Sequence, residues 1–371
     1  MRIVVAMSGG VDSSTAAALL VEQGHEVIGV AMKTHNLEPR ANRACCTPDD
    51  MRDARRMAQR LDIPFYVINY AELFAEEVIR PFAEAYRRGQ TPNPCVECND
   101  KVKFKPLLER ARQLNADVLA TGHYARVERQ GAQFVLRRGV DTNKDQSYFL
   151  YRLRQDQLAQ LMFPLGDMCK EEVRRHAERL GLACAHKPES QEICFVGSEG
   201  YAATVESILG EGGRGGNFVS RDGAVLGSHS GIHHFTVGQR RGLGLSAPKP
   251  LYVTGIEPTS GDVHVGERED LLTTEVVLEG VHWIAAQGPM ADEVIGVQQR
   301  YREPPKAAVI EVLSDAMAKI ILQEPQMRGA PGQAAVIYRG DEVVGGGTIR
   351  SGKALSSLSS RASLPVLGGS P

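Results

Sequence analysis

Short apolar runs alternate with stretches of helical periodicity over the first 205 residues. The runs 2–7 and 27–31 are short and nearly all apolar, which is typical of buried strands. Between them, Ala16, Leu19 and Leu20 lie at helical spacing, and Gly24 stands where such a helix would end. This unit of strand, helix and strand predicts the beginning of a parallel α/β sheet.

The same alternation continues to residue 121. Thr47 and Pro48, followed by two acidic residues, predict a helix to about residue 61, because a hydroxyl cap, an early proline and negative charge all suit a helix N-terminus. Further strands are expected at 65–70 and 117–121, and further helices at 71–88 and 101–114. The expected fold class is α/β, with an N-terminal doubly wound parallel sheet that carries helices on both faces.

Beyond residue 205 the pattern changes to glycine-rich turns, such as 212–216 and 242–244, and to short alternating runs. This texture predicts β structure in most of the C-terminal half. We expect an α/β domain at 1–205, a small central β domain at 206–275, a β-barrel-like domain at 276–362 and a flexible tail at 363–371.

The composition is that of an ordinary soluble globular protein. Of the 371 residues 42% are hydrophobic and 24% charged, and the formal net charge is -2. No apolar run reaches the roughly 18 residues that a membrane span needs, so we expect a cytoplasmic protein without a membrane partner. A net charge near zero argues against a nucleic-acid partner when the chain is taken as a whole.

A loop rich in glycine and serine follows the first predicted strand. The segment 7–14 reads Met-Ser-Gly-Gly-Val-Asp-Ser-Ser, and it lies where open α/β sheets bind their ligands. Glycines admit an anion close to the backbone, hydroxyl groups donate hydrogen bonds, and the helix N-terminus adds positive charge. Because the segment lacks the P-loop lysine and the dinucleotide spacing, it favours pyrophosphate binding over either of those sites.

Seven cysteines are a sparse and odd set for this length, which favours thiols, metal ligands or catalytic groups over a disulfide framework. Cys95 and Cys98 precede a predicted helix that carries Lys101, Lys103 and Lys105, surroundings that lower a thiol pKa. A structural pair, half of a zinc site and an iron-sulfur cluster are alternatives. Cys194 lies between apolar residues and on its own would be interpreted as a core cysteine.

Several separated motifs, taken together, resemble the tRNA-specific 2-thiouridylases of the ATP pyrophosphatase (PP-loop) superfamily. The resemblance extends to about residue 362. The motifs are 8–13, 92–94 with Cys98 and Asn99, 122–124, 144–150, 190–191 with 193–195, and 331–333.

This resemblance implies an ATP-dependent sulfur transfer. ATP and Mg²⁺ would activate the C2 oxygen of the wobble uridine by adenylation, and sulfur from a cysteine persulfide would replace it, giving 2-thiouridine, AMP and pyrophosphate. Cys194 would carry the persulfide that a sulfur-relay protein delivers. Cys98 would be the second catalytic thiol, assigned by its neighbour Asn99, and would end in a disulfide bond with Cys194. Cys95 has no assigned chemistry, although it shares the loop with Cys98.

The resemblance also implies binding residues. Those for ATP are Ala6, Met7, Ser8, Gly9, Gly10, Val11, Asp12, Ser13, Met32 and Gly122, with Asp12 near the Mg²⁺ ion. Those for the target base are Asn93, Pro94 and Cys95. Those for other parts of the tRNA are His123, Lys144, Asp145, Gln146, Arg300, Tyr301 and Gln333. The implied fold is an adenine nucleotide α-hydrolase-like sheet followed by two β domains.

Charge is distributed unevenly along the chain, and two alternative functions remain open. Residues 95–140 hold nine Lys/Arg against five Asp/Glu, whereas 251–297 hold one against nine, so the RNA face is predicted on the first segment.

One alternative function is that of another PP-loop ligase or amidotransferase, which would leave Cys194 without a role. The other is a non-catalytic RNA-binding protein that responds to ATP.

Overall fold

A computed structural model describes residues 1–34, 48–182, 184–185, 193–210, 213–285 and 288–350. Cys45, Cys46, Thr47, Glu189, Ser190, Gln191 and the predicted tail lie outside these residues. None of the described helices is both long and apolar enough to cross a membrane.

The first part of the chain alternates strands and helices. In chain order these are β1 (Arg2–Ala6), α1 (Val11–Glu22), β2 (Glu26–Lys33), α2 (Pro48–Arg60), β3 (Phe65–Asn69), α3 (Ala71–Phe74), α4 (Arg80–Arg87), α5 (Pro94–Glu97), α6 (Lys105–Gln113), β4 (Val118–Thr121), β5 (Ala125–Gln130), β6 (Gln133–Arg138), α7 (Gln155–Leu158), β7 (Leu161–Met162), α8 (Lys170–Arg179) and α9 (Gly200–Leu209). Strands β3, β2, β1, β4 and β7 form one parallel sheet in that order.

This sheet is covered on both faces, as the hydrophobic pattern predicts. Successive side chains of β1 point to opposite faces. Ile3 and Val5 pack in a cluster with α1, α2 and α8, whereas Val4 packs in a second cluster with α6. The predicted doubly wound parallel sheet is therefore confirmed.

Two helical runs contain wide, π-helical turns. Ala75–Ile79 joins α3 to α4, and Cys98–Phe104 joins α5 to α6. Pro81 and Pro106 each lie two residues beyond the end of one of these turns, and a proline inside a helix lacks the N–H that the normal ladder uses. The prediction of a helix beginning near residue 101 was wrong at its start, because the helical run begins at Pro94.

The remaining chain is mainly β. It forms β8 (Gly216–Val219), β9 (Val225–His229), β10 (Tyr252–Glu257), β11 (Asp262–Gly266), β12 (Leu272–Trp283), β13 (Ile295–Gln298), β14 (Lys306–Ser314), β15 (Met317–Met327), β16 (Ala334–Arg339) and β17 (Glu342–Ile349). Strands β10, β11, β8 and β9 form a small central sheet. Strands β12, β15, β14, β13, β16 and β17 form a barrel, which closes through pairing of β12 with β17.

A hairpin of the N-terminal part extends the barrel sheet, which the sequence analysis missed. The β5–β6 hairpin joins β17 where Arg137 pairs with Glu342. The Asp341 carboxylate binds the guanidinium groups of Arg126 and Arg137 at 2.6 and 2.5 Å. Tyr148 and Tyr151 also share one apolar cluster with residues of the barrel. The α/β part and the barrel therefore have a continuous core.

Candidate active site

The loop between β1 and α1 has the geometry of a phosphate-binding turn. The backbone N–H of Ser8 donates to Ser13 Oγ at 3.0 Å, and the Ser13 hydroxyl donates to the Gly10 carbonyl at 3.3 Å. Gly9 has φ +77°, and a Cβ there would collide with the carbonyl oxygen of Asp50, so only glycine fits this position. The turn leads directly into α1, whose N-terminus offers unpaired N–H groups to an anion.

Two of the residues assigned to the nucleotide lie beside this loop. Gly122 follows β4, the neighbour of β1, and a Cβ there would lie 2.8 Å from the amide nitrogen of Ser13. Met32 lies in β2, the neighbour on the other side. The structure thus brings the assigned residues to the carboxyl edge of the parallel sheet, where ligands of such sheets bind.

A lysine from a helix far away in the sequence contacts the phosphate-binding loop. Lys170 Nζ lies 2.7 Å from Asp12 Oδ1, and its side chain is only 9% exposed. The same oxygen accepts a hydrogen bond of 2.8 Å from the Tyr124 hydroxyl. Asp12 Oδ2 accepts no hydrogen bond from the residues that the structure describes. An ionised carboxylate oxygen of this kind is a suitable ligand for Mg²⁺, so the residues present fit the ion.

Sequence reasoning missed Lys170. It occupies the first turn of α8, followed by Glu171 and Glu172. A cation in a first turn opposes the helix dipole, whereas the two acids suit it. This misplaced cation was the sequence signal that could have singled out Lys170.

The cysteine loop differs from its prediction in a way that matters for the two thiols. Asn93 is the N-cap of α5, and its side chain accepts from the Val96 N–H at 3.4 Å, with Pro94 in the first turn. Cys95 therefore lies at the helix N-terminus and is exposed, whereas Cys98 lies one turn further and is buried. The prediction that Cys95 and Cys98 both precede the helix was wrong, because Asn93 caps a helical run that begins at Pro94 and contains both cysteines.

Cys98 and Cys194 belong to one apolar cluster although they are far apart in sequence. Cys98 is 8% exposed, and the half-buried Cys194 packs against the same group of side chains. Phe195 anchors the Cys194 segment, since its ring meets those of Phe74 and Phe82 edge-on at 5.8 and 5.0 Å between centroids. The fold therefore brings the two assigned catalytic residues into one region.

Polar contacts hold the helix that carries Cys98. Arg152 binds Glu97 at 2.5 Å, and the amide of Asn99 donates to the Phe149 carbonyl at 3.2 Å. Asn99 Oδ1 is buried and has no hydrogen-bond partner among the described residues. Burial raises the pKa of Asp100, which faces the same guanidinium group at 4.0 Å. These contacts fix the segment 97–100 against the segment 149–152.

Two residues assigned to the target base, Asn93 and Pro94, line a cleft of about 160 Å³ between the helical region and the barrel. Its barrel side is formed by Glu279, Gly332 and Thr348. Gln333 fastens this boundary, because its amide donates to the carbonyl oxygens of Thr91 and Pro92 at 2.9 and 3.1 Å. Gln333 thus shapes the loop of the assigned base site.

Two residues assigned to other parts of the tRNA, Asp145 and Gln146, accept hydrogen bonds within the protein. Asp145 is 5% exposed and accepts from Arg138 Nε, the Gly139 N–H and both the N–H and hydroxyl of Ser147. Its carboxylate therefore has its hydrogen bonds within the protein, and the assignment of Asp145 to the tRNA stays a prediction. Gln146 Oε1 likewise accepts from the Tyr124 N–H at 3.1 Å.

The imidazole of His123, another residue assigned to the tRNA, makes contacts within the protein. Its Nδ1 lies 2.7 Å from the Thr121 hydroxyl, and its ring packs between Phe104 and Phe163. Burial, followed by the nearby Lys103, lowers the pKa of His123 to about 3. The imidazole is therefore neutral at physiological pH and does not supply positive charge to a phosphate.

Arg300 and Tyr301 lie at the end of β13. The Arg300 guanidinium binds Glu303 at 2.8 Å and is about one-third exposed. The Tyr301 ring packs on Phe149 at 4.4 Å between centroids. This contact places the assigned residues of the barrel against the 144–150 motif, which also carries Lys144.

A group of metal-type side chains lies outside this region. Glu206, His233 and His234 have ligand atoms within 4.8 Å of one another. The Gly213 N–H donates to His233 Nδ1 at 2.8 Å, so Nε2 carries the ring proton and donates to Glu206 at 2.8 Å. Because this nitrogen has no lone pair to offer, the contact is a hydrogen bond that holds α9 to the central domain and not a metal site.

The fold and the loop define an α/β protein with a phosphate-binding turn, and the comparisons with known proteins identify its family. Residues 1–198 match the tRNA methyl transferase HUP domain, residues 203–267 the tRNA methyl transferase PRC-barrel domain and residues 273–349 the aminomethyltransferase beta-barrel domain. These matches confirm the predicted fold class.

Curated relatives match the chain over nearly its whole length. The tRNA-specific 2-thiouridylase MnmA of Geobacter metallireducens is 51% identical, covering 94% of this chain and 96% of that protein. The same enzyme of Geotalea uraniireducens is 48% identical over 94% of each chain, and that of Methylobacterium radiotolerans 47% identical over 96% of this chain and 95% of its own. The chain belongs to the tRNA-specific 2-thiouridylase family, as the motifs predicted.

Proposed function

We propose that this protein catalyses ATP-dependent 2-thiolation of the wobble uridine of tRNA. The observation that carries the proposal is the combination of a phosphate-binding loop with Cys98 and Cys194 in one apolar cluster. The relatives at 46–51% identity that are named tRNA-specific 2-thiouridylases support the same reaction. The basic segment 95–140 and the assigned barrel residues Arg300, Tyr301 and Gln333 would bind the tRNA.

The first step is adenylation of the base. The C2 oxygen of uracil attacks the α-phosphorus of ATP, the bond to the β-phosphate breaks, and pyrophosphate leaves. Ser8, the backbone of Gly9 and Gly10 and the ammonium group of Lys170 would bind the phosphates and stabilise the charge on the leaving group. Mg²⁺, held by Asp12, would supply further neutralisation of that charge.

The second step is sulfur transfer. The terminal sulfur of a Cys194 persulfide attacks C2 and AMP leaves, so that a disulfide links the base to Cys194. The Cys98 thiolate then attacks Cys194 Sγ, which breaks that bond, releases 2-thiouridine and leaves a Cys98–Cys194 disulfide. A thiol reductant reopens it, and a sulfur-relay partner restores the persulfide.

The reaction requires the target base to leave the anticodon loop. C2 is not accessible to an adenylate and a persulfide in a stacked base, and enzymes that modify bases extrude them into a pocket. The cleft lined by Asn93 and Pro94 lies beside the helix that carries Cys98. We assign it to the extruded uracil.

Thiolation of an unmodified tRNA tests the proposal. The protein is incubated with the transcript, ATP, Mg²⁺ and a persulfide donor, and nucleosides are analysed by mass spectrometry for replacement of one oxygen by sulfur. We expect 2-thiouridine from the wild type and from Cys169→Ser, an exposed cysteine outside the apolar cluster, and none from Cys194→Ser. Thiolation by Cys194→Ser at the wild-type rate would overturn the persulfide assignment.

The same assay separates the alternatives. A ligase or amidotransferase of the superfamily would release pyrophosphate with a small carboxylate as acceptor and would not depend on Cys194. A non-catalytic RNA-binding protein would bind tRNA and ATP without forming pyrophosphate.

A further inference from the structure

A tyrosine links the phosphate loop to the segment that the family resemblance assigns to tRNA. The Tyr124 hydroxyl donates to Asp12 Oδ1 at 2.8 Å, in the loop. Its backbone N–H donates to the Gln146 side chain at 3.1 Å, and its carbonyl accepts from the Gln146 N–H at 2.9 Å. One buried residue therefore contacts both regions through opposite ends, its side chain and its backbone.

The link is tightly packed. Tyr124 is 2% exposed, so nearly all of its surface is shielded from water. A Cβ on Gly139 would lie 2.9 Å from the Tyr124 carbonyl oxygen, which leaves little space on the backbone side. Asp145, directly before Gln146, is fixed by its bonds to Arg138 and Ser147. A displacement of Tyr124 is therefore transmitted to the 144–146 segment and is not absorbed by loose packing.

The loop end of the link contains the groups that a bound nucleotide would attract. In the structure, Asp12 Oδ1 is shared by Lys170 Nζ and the Tyr124 hydroxyl. The phosphate groups of ATP would attract the Lys170 ammonium, and Mg²⁺ held by Asp12 would compete for the carboxylate. The acceptor of the Tyr124 hydroxyl and the donor that shares it would then both be drawn toward the nucleotide. The hydroxyl of a buried tyrosine that loses its acceptor has to follow it or find another partner, because an unsatisfied buried donor costs free energy.

We propose that Tyr124 couples ATP binding to tRNA binding, as a positioning residue that joins the Asp12 loop to Gln146. The proposal rests on the proposed function, because it takes ATP and tRNA as the two ligands. Linkage requires the effect to be reciprocal: ATP changes the affinity for tRNA by the same factor by which tRNA changes the affinity for ATP.

The test is a complete binding cycle with Tyr124→Phe, which removes the hydroxyl and keeps the ring. The dissociation constant of tRNA is measured at fixed salt with and without α,β-methylene-ATP and Mg²⁺, an analogue that cannot be split at the bond the reaction breaks. The dissociation constant of the analogue is measured with and without tRNA. Tyr201→Phe is the matched control, since its hydroxyl donates to the His234 carbonyl at 2.8 Å, outside the loop.

Two ratios are compared: the dissociation constants of tRNA without and with the analogue, and those of the analogue without and with tRNA. In the wild type we expect the two ratios to be equal and to differ from one by about fivefold or more, the lower end of usual coupling between sites. In Tyr124→Phe both ratios fall to near one, and in Tyr201→Phe they keep the wild-type value. A purely structural defect would weaken binding without equalising the ratios. Wild-type ratios of one, or a Tyr124→Phe variant that keeps the wild-type ratios, would overturn the coupling. Thiolation at saturating ATP and tRNA, measured in parallel, reports on the proposed function separately.

Discussion

Lys170 Nζ lies 2.7 Å from Asp12 Oδ1, although 158 positions separate the two residues in the sequence. A P-loop carries its lysine within the loop itself, and the 7–14 segment has none. Here the N-terminus of α8 brings the cation to the loop from the other end of the domain. The charge pair thereby joins the first helix of the sheet to the helix that follows its last strand.

Removing the Lys170 charge should abolish most of the adenylation. In Lys170→Met, the pyrophosphate that leaves in the first step loses its nearest cation, and we expect the rate of pyrophosphate release to fall by about 10²–10³, the usual effect of losing one preorganised donor. Lys249→Met is the control, because Lys249 pairs with Glu267 on the exposed surface. Pyrophosphate is measured by a coupled assay under single-turnover conditions. An unchanged rate in Lys170→Met would exclude this lysine from the phosphate site.

The two thiols should fail at different points of the reaction. In Cys98→Ser, the persulfide on Cys194 can still attack C2 of the base, but no second thiol can release the product. The tRNA should therefore accumulate as a disulfide adduct of the protein, which a thiol reductant cleaves. Cys194→Ser should form no adduct. Non-reducing gel electrophoresis with labelled tRNA detects it. Multiple turnovers by Cys98→Ser without added reductant would contradict the assigned order of attack.

His123 should make stability depend on pH. Its pKa is lowered to about 3 in the folded protein, whereas an unfolded histidine titrates near 6.5, so the unfolded chain binds the extra proton between these values. The contribution of His123 to the free energy of unfolding is therefore fully present above about pH 6.5. It decreases as the pH falls, by up to about 2 kcal/mol between pH 7 and pH 5. Urea denaturation of the wild type and of His123→Asn at several pH values measures the difference in slope. Equal slopes would show that His123 titrates normally in the fold.

Asp145 and Lys144 should separate folding from RNA binding. Asp145→Ala leaves the Arg138 charge and the Ser147 donors without their acceptor, and we expect a loss of about 3 kcal/mol in the free energy of unfolding. Lys144→Ala should weaken tRNA binding, with a salt dependence reduced by about one phosphate contact. Chemical denaturation and a salt series of tRNA titrations give the two values. A stable Asp145→Ala variant with selectively weakened tRNA binding would contradict the structural role and support the assignment of Asp145 as an RNA contact.

Local signals predicted the parts of the fold that depend on neighbouring residues. The strands around 2–7 and 27–31, the helix between them and the loop at the strand end follow from periodicity, Gly24 and the glycine pair, and the structure confirms them. The start of α5 was missed although its signal was present, because an asparagine followed by a proline is a common N-cap and first helical residue.

The amino-acid sequence by itself determined the fold class, the family and the position of the phosphate loop, since periodicity, turn residues and motifs act over a few positions of the chain. Only the tertiary structure decided that Lys170 meets Asp12, that Cys98 and Cys194 share one cluster, and that the β5–β6 hairpin extends the barrel. It also decided that Asp145 is an internal acceptor. These contacts join segments far apart in sequence, and they exist because crossover connections and a continuous apolar core bring those segments together, which no short-range pattern records.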